Sequence, residues 1–136
     1  MGRRRRKEEY YLMKEIERII DELNNSVDLV IVEGLHDERA LRRYGYHGRI
    51  IKLSSARKPL KFFVEDIARK FRGCRVVLLL DFDSEGEAIS KKIECELEQL
   101  GVKIDRHWRE VLKELMTRFR MLTIEELTAL RRRALE

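Results

Sequence analysis

The sequence contains little proline, cysteine or histidine and has no long apolar run. One proline, two cysteines and three histidines occur among its 136 residues. Cys74 and Cys95 lie too far apart for a zinc knuckle or a paired redox motif, and we expect both to be reduced thiols. No stretch reaches the roughly 20 apolar residues that cross a bilayer, and no signal-peptide core follows the charged N-terminus. These absences predict a cytoplasmic protein without a membrane segment.

Charged and apolar residues are abundant instead. Charged residues make up 40% of the chain and hydrophobic residues 43%, with 30 basic and 25 acidic side chains and a formal charge of +5. This composition is far from that of a disordered chain and predicts a globular domain with its own core. Two basic blocks lie at residues 3–7 and 131–133. Either block could bind phosphates, although such runs are more often solvated tails.

Apolar positions with helical spacing alternate with short β-branched runs. Strands are predicted at 27–34, 49–53, 75–80 and 102–104, and an amphipathic helix at 8–24. Helices are also predicted between successive strands, and the capping-box pair Thr123 and Glu126 predicts a C-terminal helix. Strands that alternate with helices indicate a parallel α/β sheet. We therefore expect one domain over residues 1–136, with helical additions at 8–24 and 106–136.

Acidic residues directly follow two of the predicted strands. Glu33 ends the first strand, and Asp81 and Asp83 follow the apolar third strand. Sites in open parallel sheets form at the carboxyl ends of strands, so these three carboxylates are expected to face one edge. They would repel one another in a dry environment without a cation. Oxygen ligands without histidine suit Mg²⁺ or Mn²⁺ better than zinc, so the pattern predicts a site for one of these ions.

Glu85 and Glu87 continue the acidic spacing into the next predicted helix. Carboxylates in the first turn of a helix also interact favourably with its dipole. For Glu87 this structural explanation is as strong as a functional one, and for Glu85 it is nearly as strong. For Glu33, Asp81 and Asp83, by contrast, the neighbouring glycines Gly34 and Gly86 support a functional role, because glycine lets the backbone approach a ligand closely.

Basic and hydroxyl side chains cluster after the second predicted strand. Hydroxyls, backbone amides and cations in the segment "SSARK" and just beyond it could bind phosphate. The alternative is a serine-capped helix with ordinary surface lysines. The candidate nucleic-acid-binding residues are Ser54, Ser55, Arg57, Lys58 and Lys61.

The segments "VIVEGLHDERAL" (30–41) and "LLLDFDSEGEAI" (78–89) together resemble the Toprim domain. Toprim domains occur in topoisomerases, bacterial-type primases, ribonuclease M5 and OLD-family nucleases. The first segment, with its downstream Asp37, is most similar to ribonuclease M5 and the primases, and the other segment is most similar to type IA topoisomerases. The resemblance covers about 27–105 and implies a Rossmann-like sheet of about four strands with a Mg²⁺ site that acts on phosphodiester bonds.

The resemblance also implies roles for individual residues. Glu33 would act as a general acid or base or as a metal ligand, and Asp81 and Asp83 would hold metal with help from Glu85. Asp37 would orient the site or cap the following helix. The 136 residues leave no room for the nucleophilic-tyrosine domain of type IA topoisomerases or for the zinc- and helicase-binding domains of primases. We therefore expect a small stand-alone Toprim protein, with the uncharacterised archaeal group among the candidates.

Three functions agree with these residues. The first is a Mg²⁺-dependent nuclease of the ribonuclease M5 type, in RNA processing or DNA repair. The second is a non-catalytic, metal-dependent nucleic-acid-binding subunit of a larger RNA-processing or repair assembly. The third, primase-like nucleotidyl transfer, is disfavoured because template-binding domains are missing. The sequence does not choose between RNA and DNA.

Overall fold

The computed structural model describes residues 2–136, which form four strands and six α-helices. A single 3₁₀ turn, Leu53–Ser55, follows the second strand. The elements in chain order are α1 Gly2–Ser26, β1 Leu29–Val32, α2 Leu35–Arg43, β2 Ile50–Lys52, α3 Leu60–Phe71, β3 Arg75–Leu78, α4 Ser84–Gln99, β4 Lys103–Ile104, α5 His107–Arg118 and α6 Glu126–Leu135.

The four strands form one parallel sheet in the order β2-β1-β3-β4. Val30 of the central strand β1 pairs with Ile50 on one side and with Val77 on the other. Every residue of β1 is buried, as expected of a strand covered on both faces. The predicted α/β class, a Rossmann-like parallel sheet with added helices, is therefore confirmed.

Alternate residues of the strands face two separate apolar cores. Val30, Val32 and Val77 contribute to the core that α1, α2, α5 and α6 cover. Leu29, Ile31 and the other side of β3 contribute to the core that α3 and α4 cover. The period-two alternation of side chains along a strand thus produces a three-layer molecule.

The strand order reverses direction at β1. The chain passes from β1 to its neighbour β2 on one side and then continues on the other side with β3 and β4. Where the strand order reverses, the connections leave two adjacent strands in opposite directions, and a crevice opens at the carboxyl ends of these two strands. Ligands of open α/β sheets bind in this crevice. In this molecule the crevice lies between β1 and β3, the strands that precede Glu33 and Asp81.

The C-terminal helices pack against the sheet layer and approach this crevice. The backbone N–H of Phe82 donates to the carbonyl of Leu122 in the loop between α5 and α6, at 2.7 Å. The buried Tyr44 hydroxyl donates to the carbonyl of Leu127 at 2.8 Å. These bonds fix the start of α6 beside α2 and the end of β3. Within residues 2–136, no helix has the length and apolar character that crossing a membrane requires.

Candidate metal centre

Backbone hydrogen bonds fix the positions of Glu33 and Asp81 beyond the strand ends. The N–H of Leu79 donates to the carbonyl of Ile31 at 2.8 Å, which extends the β1–β3 pairing past the end of β3. The N–H of Ser54 donates to the carbonyl of Glu33 at 2.9 Å, which ties Glu33 to the turn after β2. Both carboxylates therefore project from rigid backbone at the point where the strand order reverses.

Asp83 caps the N-terminus of α4. Its Oδ1 accepts a hydrogen bond from the backbone N–H of Gly86 at 2.7 Å, the arrangement expected of an aspartate N-cap. Asp83 and Glu85 are exposed. The helix start places Asp83 near Asp81 and Glu85 near Glu33, and leaves both carboxylates accessible to solvent.

Asp37 is the most buried acidic residue of the region, with 5% of its surface exposed. Its Oδ2 accepts a hydrogen bond from the N–H of Gly34 at 3.1 Å, at the start of α2. Burial raises the pKa of Asp37, and backbone hydrogen bonds from Gly34, Glu125 and Glu33 oppose the rise. Asp37 thus joins the end of β1 to α2 and to the segment before α6.

The carboxylates of this region repel one another. Burial, followed by the charges of Asp37, Asp83, Glu33 and Glu125, raises the pKa of Asp81 to about 6. Burial raises the pKa of Glu33 as well, with smaller contributions from the charges of Asp37 and Glu85. We call these residues the acidic cluster, whose members are Glu33, Asp37, Asp81, Asp83, Glu85 and Glu125.

The acidic cluster lacks an internal cation among residues 2–136. The ion pairs of this part of the chain involve other acidic residues. The donors are all carboxylate oxygens, which are the ligands that Mg²⁺ prefers. Within the same residues, no three His, Cys, Asp or Glu side chains already have the spacing of a complete metal site. The carboxylate oxygens and the repulsion between their charges both fit a Mg²⁺ ion. The side chains lie near one another but do not form a complete set of ligands around one point.

Glu125 belongs to the acidic cluster although it lies far along the chain from the two acidic sequence motifs. It precedes α6 and raises the pKa of both Asp37 and Asp81 by its charge. The only sequence signal near it is the capping pair of Thr123 and Glu126. Glu126 Oε2 indeed accepts hydrogen bonds from the N–H groups of Leu122 and Thr123, each at 2.8 Å. That signal predicts the helix start and gives no indication that the preceding glutamate reaches the strand ends.

Glu87 does not pair with the cluster but with Arg109 of α5. Its Oε1 accepts from Arg109 Nη2 at 2.6 Å, and Lys113 lies 3.4 Å from its other oxygen. Arg109 is 3% exposed and also donates to the carbonyls of Leu78 and Leu80, at 2.9 and 3.0 Å. The geometry therefore favours a structural role for Glu87, as the ion-pair partner of Arg109. Arg109 in turn is a positioning residue that the sequence motifs do not reveal.

The basic candidates after β2 lie in different surroundings. Ser54 borders Gly34, since a Cβ on that glycine would lie 3.4 Å from the Ser54 hydroxyl. Lys58 forms an ion pair with Asp66 of α3. Ser55, Arg57 and Lys61 are exposed. Ser54 is thus adjacent to the cluster, whereas Lys58 is already engaged.

Comparison with known proteins agrees with the fold and the strand-end motifs. The sequence pattern of the Toprim domain matches residues 28–107, which is more than half of the chain. UPF0292 proteins of Pyrococcus horikoshii and Methanocaldococcus jannaschii are 41% and 31% identical over 100 and 102 residues. These alignments cover 74% of this chain in both cases, and 72% and 76% of the respective relatives.

A solved structure supports the same assignment. A putative protein from Aquifex aeolicus has a TM-score of 0.60 and 27% identity, over 85% of this chain and 94% of that one. The chain belongs to the Toprim family and, among its members, groups with the archaeal UPF0292 proteins. Toprim domains generally bind Mg²⁺, and membership indicates a metal-dependent protein that acts on nucleic acid.

We expect Asp81→Asn to stabilise the metal-free protein by about 1–2 kcal/mol at pH 7.5. A full shift in pKa from 3.8 to about 6 would correspond to roughly 3 kcal/mol, which solvent screening reduces. Because the folded-state pKa is raised, the ionised carboxylate destabilises the fold above about pH 6, and this penalty disappears as the pH falls towards 3.8.

Urea unfolding in EDTA at pH 7.5 and at pH 4.5 measures this difference. The matched control is Asp21→Asn, at an exposed position of α1. A variant no more stable than the wild type at pH 7.5, or a difference that does not shrink at pH 4.5, would contradict the electrostatic account.

Proposed function

We propose that this protein is a Mg²⁺-dependent nuclease that cleaves phosphodiester bonds of RNA or DNA, in RNA processing or DNA repair. The observation that carries the proposal is the convergence of Glu33 and Asp81 at the reversal point of the sheet, without an internal cation among the residues described. Structural carboxylates are normally neutralised by ion pairs or solvated on a surface. Carboxylates that repel one another from rigid strand ends are instead typical of functional sites.

Asp81 and Asp83 are the proposed metal ligands, with Glu85 beside them at the helix start. Asp81 projects from fixed backbone, because hydrogen bonds hold both the preceding strand and the following residue. Bound Mg²⁺ would neutralise charge on the phosphate oxygens and lower the pKa of bound water. Asp83 uses one oxygen for the N-cap, which leaves its other oxygen for the ion.

Glu33 is the proposed general base, or an additional ligand. The raised pKa of Glu33 makes its carboxylate a stronger base than an ordinary glutamate, as a general base that works near neutral pH requires. The tie between its carbonyl and Ser54 holds it at the crevice. Asp37 positions Glu33 through Gly34 and contributes negative charge to the site without needing to touch substrate.

We expect Glu33→Gln to reduce Mg²⁺-dependent cleavage by about 100-fold, a typical loss when a general base is removed. The assay follows end-labelled single- and double-stranded RNA and DNA in Mg²⁺ and in Mn²⁺, and EDTA should abolish cleavage. Asp81→Asn should be at least as impaired. The matched control is Glu65→Gln, which changes an exposed carboxylate on α3.

Two outcomes would contradict the proposal. In the first, Glu33→Gln and Asp81→Asn cleave the panel as fast as the wild type, so the strand-end carboxylates would not carry the cleavage. In the second, the protein binds nucleic acid without cleaving it, and binding is unaffected by Glu33→Gln but lost on chelation. The second result would identify a non-catalytic binding subunit instead.

A further inference from the structure

A polar groove lies between α2 and α6, next to the acidic cluster. It has a volume of about 350 Å³. Its lining residues are His36, Arg39, Arg43, Glu125, Thr128, Ala129 and Arg132. We call this feature the α2–α6 groove.

The three arginines of the α2–α6 groove make no ion pair or side-chain hydrogen bond within residues 2–136, in contrast to their neighbours. Arg42 on α2 donates to two backbone carbonyls, those of Tyr46 and Gly48, at 3.1 and 2.7 Å. Arg133 on α6 pairs with Glu9 at 2.6 Å. No such partner is present for Arg39, Arg43 or Arg132 in that part of the chain. Two helices thus bring three exposed guanidinium groups without an ion-pair partner in residues 2–136 to one groove, where their combined charge attracts anions.

The α2–α6 groove leads to the acidic cluster. Glu125 lines it and also raises the pKa of Asp37 and Asp81 by its charge, so the groove and the cluster share this residue. His36, at the same end, directly precedes Asp37. An anion in the groove therefore lies beside the carboxylates that would hold metal.

The dimensions of the α2–α6 groove suit a nucleic-acid backbone. Arg43 follows His36 by about two helical turns on α2, and Arg132 follows Glu125 by the same interval, which corresponds to about 10 Å along each helix axis. A stacked helical strand advances roughly 3.4 Å along its axis per nucleotide, so about three nucleotides match that length. Arginine is suited to phosphate because its planar fork makes two parallel hydrogen bonds.

We propose that the α2–α6 groove binds about three consecutive phosphates of a nucleic-acid strand and directs that strand into the acidic cluster. This inference rests on the proposed function for the identity of the substrate. It assigns substrate binding to α6, which lies outside the segment that matches the Toprim domain. The three arginines position the strand, and the cluster carries the chemistry.

The test replaces Arg39, Arg43 and Arg132 together with alanine and measures binding of a labelled 20-nucleotide single-stranded RNA and DNA in EDTA. Each phosphate contact contributes about 0.7 to the slope of log affinity against log salt, so the slope should fall by about 2. Affinity at low salt should fall at least roughly tenfold. The control replaces Lys70, Lys91 and Lys92, three exposed cations on the opposite layer, which removes the same charge.

A second variant separates charge from folding. Lysine at all three arginine positions retains the cations and should retain most of the salt dependence, and thermal unfolding checks that each variant is folded. Equal affinity and equal slope for the groove and control variants would overturn the groove assignment and leave the nuclease proposal standing. Failure of the wild type to bind any probe at low salt in EDTA would overturn the groove assignment alone, because binding that requires the metal agrees with a Mg²⁺-dependent nuclease.

Discussion

Replacing Arg109 with methionine is expected to destabilise the protein by about 3–4 kcal/mol. The guanidinium donates to the carbonyls of Leu78 and Leu80 and to the Glu87 carboxylate, and its central carbon lies 4.8 Å from the ring centre of Phe82. Methionine fills similar space but leaves these acceptors without a donor. The cost arises because the two buried strand-end carbonyls lose their donor and Glu87 keeps only its longer contact with Lys113.

Two variants separate the contributions of charge and geometry at Arg109. Arg109→Lys keeps the cation beside Glu87 but not the fork that reaches several acceptors, and its destabilisation should be intermediate. The double variant Arg109→Met with Glu87→Gln should recover part of the loss, because it removes the carboxylate that keeps only the 3.4 Å contact with Lys113. Chemical denaturation in EDTA measures all three free energies of unfolding.

The matched control is Arg118→Met on the same helix. Arg118 pairs with Glu114 at 3.8 Å, and both side chains are largely exposed, so the change should stay within about 0.5 kcal/mol. An Arg109→Met protein as stable as Arg118→Met would show that Arg109 does not hold the end of β3.

The strand-end carboxylates could be predicted because their placement depends on local pattern. An apolar run predicts a buried strand, and a residue directly after it lies at the edge of the sheet. Glu33 and Asp81 follow this rule, and Asp83 lies two residues further on at the start of α4, whereas the pairing of β1 with β3 is known only from the structure. The structure places the three residues at the edge where the pattern predicts them.

Residues that reach the site through tertiary packing could not be found in this way. Glu125 lies near Asp81 because the loop before α6 bonds to Phe82, a contact between residues 40 positions apart. Arg109 resembles any other residue of an amphipathic helix until α5 packs against β3. Helix periodicity predicts which face is buried and does not predict which part of the sheet that face covers.

The basic block at residues 3–7 shows a related limit. Its composition is that of a solvated tail, yet α1 begins at Gly2 and includes the block in a 25-residue helix. The apolar stripe farther along α1 packs into the core, and Arg133 of α6 pairs with Glu9. Adding a residue to an existing helix is easier than starting a new one, so the packed part of α1 allows residues 3–7 to be helical as well.

Gly86→Ala is expected to destabilise the protein by about 3 kcal/mol, although alanine usually favours a helix. A Cβ at this position would lie 2.1 Å from the carbonyl oxygen of Asp81 and 2.8 Å from its carbonyl carbon. Those atoms are backbone at the end of a buried strand and cannot move independently of the sheet. The helix must therefore shift away from Asp81, which also weakens the bond from the Gly86 N–H to Asp83.

The same shift should weaken metal binding, because Asp81 and Asp83 are carried by the two segments that move apart. Isothermal titration with Mg²⁺ and denaturation in EDTA test the two effects separately. Gly2→Ala is the control, since its Cβ would meet nothing closer than an Arg6 nitrogen at 3.7 Å, and it should change stability by less than about 0.5 kcal/mol. If Gly86→Ala were as stable as wild type and bound Mg²⁺ equally well, close contact between α4 and Asp81 would not be what holds the two carboxylates together.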